Sequence, residues 1–229
     1  EIMPSLVGSE MCIRDRAYEV YKRVDFINYW LYTFTATCLL CLVEPFVAIW
    51  LGQDFVLTKA ILILAVAIYY FKGINSGIDI AKNAAGLYYP DRFIPMAEAI
   101  ANMVISIVLA KRYGIAGVLF GTLVSFLALS FWAKPYFVCR DVFEVSFARY
   151  AVREGREIVV SVLVAAGTWY AVSLVSLENV LLSFGVKALL ALALSNGLLL
   201  LVYFKTSEFQ YLRGLLESAA NRIGKRKKA

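Results

Sequence analysis

Residues 57–84 read LTKAILILAVAIYYFKGINSGIDIAKNA, and this stretch decides the fold. Its clean apolar part, 60–71, is too short to cross a hydrocarbon core of about 30 Å, which takes roughly 20 helical residues. A crossing helix must therefore continue through Lys72, Asn75, Ser76, Asp79, Lys82 and Asn83. At about 100° per residue these polar side chains share one face, while Ile74, Gly77, Ile78 and Ala81 lie mostly off it. Ionisable groups on a membrane helix turn toward protein or water rather than lipid. The stretch reads as one span of a helix bundle, with its polar stripe facing inward.

Composition extends this reading to the whole chain. Of 229 residues, 61% are hydrophobic and 17% charged, and the mean hydropathy is +0.72. A soluble domain is about 45–50% apolar and about 25% charged. One aqueous core in a chain of this length cannot hide so much apolar surface. A soluble enzyme, a disordered chain and a disulfide scaffold are thereby excluded. The absence of His removes Ser-His triads, imidazole bases and His-dependent metal sites. Cys38 and Cys41 form a C-x-x-C pair inside an apolar run, where thiols pack as small hydrophobes. No metal and no cofactor is expected.

The fold class expected is all-α: a polytopic membrane bundle of about six helices forming one lobe. Residues 1–16, EIMPSLVGSEMCIRDR, lack an initiator Met at position 1 and the order of a signal peptide. The part PSLVGSEMCIRDR looks like translated adapter read-through, so 1–16 is expected to be non-native and the chain a fragment of a longer protein. Residues 17–204 hold six expected spans: 26–48, 57–84, 93–110, 115–133, 158–177 and 180–204. With an even count both ends share one side, and 19 of the 23 Lys and Arg fall there, leaving Lys59, Lys111, Arg112 and Lys187 opposite. The positive-inside rule makes that basic side the cytosol. Residues 205–229 form a cytosolic tail, where Phe209, Leu212, Leu216, Ala219 and Ile223 recur at helical spacing. An amphipathic helix lying on the membrane surface, followed by basic Lys225 to Lys228, is expected there.

A second polar stripe runs along the third span, with Glu98, Asn102 and Ser106 at i, i+4 and i+8. Both stripes are expected to face one aqueous cavity open to the cytosol. Lys72 and Lys82 would meet an anionic headgroup there, Asp79 would pair with either Lys, and Glu98 with Arg92 or a neighbour. Gly117, Gly121 and Ser125 form a row of small residues that lets helix backbones approach. Glu44-Pro45 is a break signal, read either as a hinge or as the end of the first span.

Four segments, in this order and spacing, carry a family resemblance. They are PFVAIWLG (45–52), AGLYYPDRFIP (85–95), the Asn102/Ser106/Leu109 pattern and YGIAGVLFGT (113–122). Together they resemble the C-terminal part of the polysaccharide flippases, the O-antigen, capsule and teichoic-type repeat-unit exporters of the multidrug/oligosaccharidyl-lipid/polysaccharide superfamily. The resemblance implies two pseudo-symmetric lobes around a central cavity. It implies transport of an undecaprenyl-pyrophosphate-linked oligosaccharide across the bacterial cytoplasmic membrane by alternating access, with both termini cytosolic. The expected partners are that lipid-linked substrate, the membrane and a missing N-terminal lobe, with no nucleic acid and no enzymatic activity. Lys72, Asn75, Asp79, Lys82, Glu98 and Asn102 become cavity residues and Arg92 a gate or positioning residue. One lobe alone cannot form the cavity, so the chain is expected to be inactive by itself. Three alternatives stand beside this one. A multidrug cation antiporter of the same superfamily would want an acidic cavity. A membrane glycan-assembly enzyme would want a metal-binding acidic pair or a catalytic His/Arg constellation on a large outer loop. A non-transporting scaffold would leave the polar stripes unexplained.

Overall fold

Backbone polar groups inside a bilayer have no water to bond, so a spanning chain satisfies them within helices. The computed structural model, which describes residues 3–89, 92–175, 177 and 179–214, is helical throughout its regular parts. Six helical stretches are long and apolar enough to cross a membrane: Arg16–Trp50, Lys59–Ala84, Ile94–Tyr113, Ile115–Phe143, Phe147–Ser173 and Val180–Tyr203. The all-α bundle expected from sequence is the fold observed.

The first span belongs to α1, Met3–Trp50, which holds Pro45 within it. The helix is continuous across the boundary expected at residue 16. The second span is divided into α2, Lys59–Ile74, and α3, Ser76–Ala84, with Asn75 between them. The third is α4, Ile94–Tyr113, with Pro95 in its first turn, where a missing N–H leaves nothing unpaired. Gly114, at φ +57°, turns the chain directly into the fourth span.

That fourth span contains α5 (Ile115–Ser125), a π-helical turn (Phe126–Ser130), α6 (Phe131–Val138) and a second π-helical turn (Cys139–Phe143). It runs well past the expected end at 133. Pro135 has no N–H to give its own turn, and the widened turns on either side absorb the mismatch without ending the helix. The fifth span, α7, is Phe147–Ser173 and begins well before the expected 158. The sixth, α8, is Val180–Tyr203, and the Leu181 and Leu182 N–H groups donate to Asn179 Oδ1 at 3.1 and 3.2 Å. Residues 207–214 are helical. Leu216, Ala219, Ile223 and the basic run from Lys225 lie outside the described residues, as do Pro90 and Asp91.

Helix α1 is the post around which the other spans are arranged. Phe26 and Tyr29 pack with Val164 of α7 and with Leu199 and Tyr203 of α8. Ala36 packs with Tyr70 and Ile74 of α2 and with Phe126 and Phe131 of the fourth span. Tyr21 packs with Ile78, Val138, Phe143 and Tyr150. The tail helix folds back on this post: the Phe209 ring lies 5.9 Å from that of Trp30, and Arg23 sits 4.2 Å from the ring centre of Tyr211. Helix α4 buries none of its residues and presents Met96, Ile100, Met103 and Ile107 outward, a surface suited to lipid.

Glycines set how closely the spans approach. A Cβ on Gly117 would stand 2.4 Å from the Leu109 carbonyl oxygen, and one on Gly121 would stand 2.6 Å from Ser106 Oγ. Gly117→Ala should therefore push α5 off α4 and cost about 1–3 kcal/mol by overpacking. A Cβ on Gly155 meets nothing within 4 Å, so Gly155→Ala should leave stability unchanged or slightly raised. Unfolding of the two variants in lipid nanodiscs checks the contrast; equal behaviour would mean the α4–α5 contact is looser than described.

Candidate functional site

The polar stripe of the second span divides its duties between neighbours. Lys72 is exposed at the end of α2, with Nζ 5.8 Å from the ring centre of Phe126. Asn28 donates from Nδ2 to Ser76 Oγ at 3.0 Å, and Gly77 lies against Asp25, so this edge of α3 faces α1. Lys134 Nζ donates to Asp79 Oδ1 and Oδ2 at 3.0 and 3.2 Å, so the opposite edge faces the fourth span. Lys82 Nζ lies 6.0 Å from the ring centre of Tyr88, and Asn83 is exposed. Arg92, also exposed, stacks on Tyr89 and Phe93 at 4.3 and 4.6 Å. Asn75 is buried at the break, and neither polar atom of its side chain has a hydrogen-bond partner among the described residues.

The stripe of α4 is committed to the fourth span. Ser130 Oγ donates to Glu98 Oε2. Asn102 Oδ1 accepts from Ser106 Oγ at 2.9 Å and from Thr122 Oγ1 at 3.2 Å.

This geometry corrects two expectations. Asp79 pairs with Lys134 rather than with Lys72 or Lys82, while Glu98 takes the neighbour Ser130, one of the two partners expected for it. The two stripes also do not open onto one shared cavity, because the fourth span stands between them and partners both. The physical reason is its length. Lys134 falls in a loop if the span ends at 133, but it is carried on a helix that continues to Phe143. Polar groups on a membrane helix take the partner that the adjacent helix offers.

A second constellation lies where the sequence reading placed only flanking charge. Asp25 of α1 and Glu154 and Glu157 of α7 are all buried, and their carboxylate oxygens lie within 4.8 Å of one another. Arg153 Nη2 donates to Asp25 Oδ2, and its Nε lies 3.8 Å from Glu157 Oε1. The guanidinium is flanked by the Tyr21 and Tyr150 rings at 5.6 and 5.8 Å. Helical periodicity contained the missing signal. Tyr150, Glu154, Glu157, Ser161, Val164, Thr168 and Val172 recur every three or four residues and form the buried face of α7.

Beside this cluster a cavity of about 370 Å³ opens between α1, α2 and α7. Glu44, Lys59 and Trp169 lie toward the α1–α2 turn, while Leu62, Val66 and Ala165 make apolar wall. Its deep end is hydroxylic. Tyr70 donates to Ser161 Oγ at 2.8 Å, and Thr33 and Ser161 share a hydrogen bond at 2.8 Å. Ser161 stands one helical turn from Glu157, so the apolar cavity ends next to the acidic cluster. No protein-family model, curated protein or solved structure matches the chain.

The two ion pairs differ in burial, and their removal should differ accordingly. Arg153→Met strands buried carboxylates and should cost about 3–5 kcal/mol. Lys134→Met frees an Asp79 side chain that is 39% exposed, and should cost at most about 1 kcal/mol. Denaturant unfolding in detergent measures both; the reverse order would contradict the burial described.

Proposed function

We propose that the chain is the C-terminal lobe of a lipid-linked oligosaccharide flippase, moving undecaprenyl-pyrophosphate-linked repeat units across the bacterial cytoplasmic membrane for polysaccharide assembly. The observation that carries this reading is the interrupted second span. Its break at buried Asn75 is flanked by Lys72 and Asp79, with Lys82 one turn further on. Interrupted spans with ionisable residues are how transporters build sites for charged cargo at membrane depth. Lys72 and Lys82 are suited to a pyrophosphate headgroup, and the exposed, ring-stacked Arg92 to a position at the cytosolic mouth. The ordered motifs at 45–52, 85–95 and 113–122 support the same assignment. So does the brevity of the links between spans on the less basic side, which leaves little room for an enzyme's outer domain.

The Asp25–Glu154–Glu157 cluster favours a second reading, a cation antiporter of the same superfamily, since acidic groups attract cationic cargo. Arg153 inside that cluster weighs against it.

Lys72→Ala, introduced into the gene that encodes the chain, should lower surface-glycan export about tenfold or more at unchanged protein abundance, the loss of one charge-assisted contact of about 1.5–3 kcal/mol. Unchanged glycan with abundant variant protein would remove the flippase reading, and sensitivity to lipophilic cations in its place would transfer the function to the antiporter. Cysteines placed at Gln53 and Asn179 should react with an impermeant thiol reagent from outside the cell. Reaction only after permeabilisation would reverse the orientation.

A further inference from the structure

We propose that Asp25, Glu154 and Glu157 form a buried proton-binding site that is loaded through the cavity between α1, α2 and α7. The inference does not depend on the cargo proposed above.

Charge balance is the first argument. Three carboxyl groups converge on one guanidinium, that of Arg153. Ionised carboxylates with oxygens within 4.8 Å of one another repel, and burial strengthens that repulsion. Among the described residues, the packed elements supply no second buried cation. Helix α1 brings Tyr21 and Tyr29, α3 brings Gly77, the fourth span brings Cys139, and α8 brings Tyr203. Helix α7 adds Tyr150 and the exposed Arg156, and the tail helix adds Glu208. Positive charge must come from outside the protein. Arg153 already occupies the Asp25 carboxylate, which crowds a multivalent ion sharing these oxygens. A proton takes no such space.

The second argument is a buried polar group with nothing to bond. The Tyr21 hydroxyl belongs to a side chain only 6% exposed, stands one helical turn from Asp25 on α1, and has no hydrogen-bond partner among the described residues. A protonated carboxyl carries an O–H that this oxygen can accept.

The third argument is access. Tyr70, Ser161 and Thr33 close the deep end of the cavity in a connected set of hydroxyls, and Ser161 stands one helical turn from Glu157 on the buried face of α7. Each hydroxyl both donates and accepts, so a proton entering at Tyr70 can leave toward Glu157 while every hydroxyl keeps one hydrogen. The gain is one proton on a carboxylate, with no other bond altered.

Dicyclohexylcarbodiimide tests this on the full chain in phosphatidylcholine nanodiscs. This apolar reagent adds the O–H of a protonated carboxyl across one of its N=C bonds, and the acyl group then migrates to nitrogen with no leaving group. Peptide mapping should find the adduct on Glu154 or Glu157 at about pH 6, falling about tenfold or more by about pH 10 as the carboxyls ionise. Labelling of Glu44 alone, or equal labelling at both pH values, overturns the proposal. Protection by Mg²⁺ or Ca²⁺ at unchanged pH would put a metal ion in the proton's place and overturn it equally. Glu154→Gln imitates the protonated group, and should flatten the loss of thermal stability that a site proton-loaded only in the folded state shows as pH rises. A parent and variant with the same pH profile contradict the site. Ser161→Val interrupts the hydroxyl set and should slow deuteron arrival at the carboxyls, read by infrared spectroscopy after a pH jump; an unchanged rate contradicts the route.

Discussion

The ion pair from Arg153 to Asp25 is the contact on which the arrangement of spans depends. It joins α1 to α7 away from solvent, and Gly77 of α3 is pressed against the same carboxylate. A charge taken from water without a partner costs several kcal/mol, and in practice such a group finds a partner or loses its charge. Asp25 cannot face lipid, and Arg153 cannot either. The two must meet, and their meeting fixes the rotation of both helices. Once α1 and α7 are set, the faces they turn elsewhere are determined. Phe26 and Tyr29 go toward α8, Thr33 toward Ser161 of α7, and Ala36 toward α2 and the fourth span.

The fourth span applies the same rule a second time. It carries Lys134 to Asp79 and Ser130 to Glu98, and so joins the two polar stripes through itself. Its two π-helical turns enclose Pro135 and rotate the face that follows. Ser130 closes the first widened turn, and Lys134 follows it one α-helical turn later in α6, so the two lie on one side of the span. From that side Ser130 reaches Glu98 of α4 and Lys134 reaches Asp79 of α3.

The six crossings were legible because length and hydropathy are sufficient to locate them. The edges were legible only where apolar sequence ended on turn residues, as at Gly52 and Gly114. Where a helix continued through charge, the reading stopped short: at 133 in the fourth span, at 158 in the fifth and at 26 in the first. The cause is the same each time. Hydropathy scores Arg153, Glu154, Glu157, Asp25 and Lys134 as water-seeking, but these residues satisfy one another inside protein. A window average cannot see a partner on another helix. The stripes on 72–83 and 98–106 were visible as faces of helices. The helix each would meet was not, since a face states that a partner exists without saying which one.

Strength differs across these contacts, and the difference bears on any motion of the bundle. The Asp79–Lys134 pair is partly open to solvent, with Asp79 39% exposed, and such pairs contribute about 0–1 kcal/mol. The Asp25–Arg153 pair is enclosed, and parting it leaves uncompensated charge at a cost of about 3–5 kcal/mol. Asn75, with no hydrogen bond from its side chain, adds nothing to hold α2 and α3 in line. The weaker ion-paired seam therefore runs between α3 and the fourth span, and the stronger one joins α1 to α7. Helix α3 touches both seams, since Gly77 lies against Asp25 and Asp79 pairs with Lys134, so its position is set by the enclosed pair and trimmed by the partly open one.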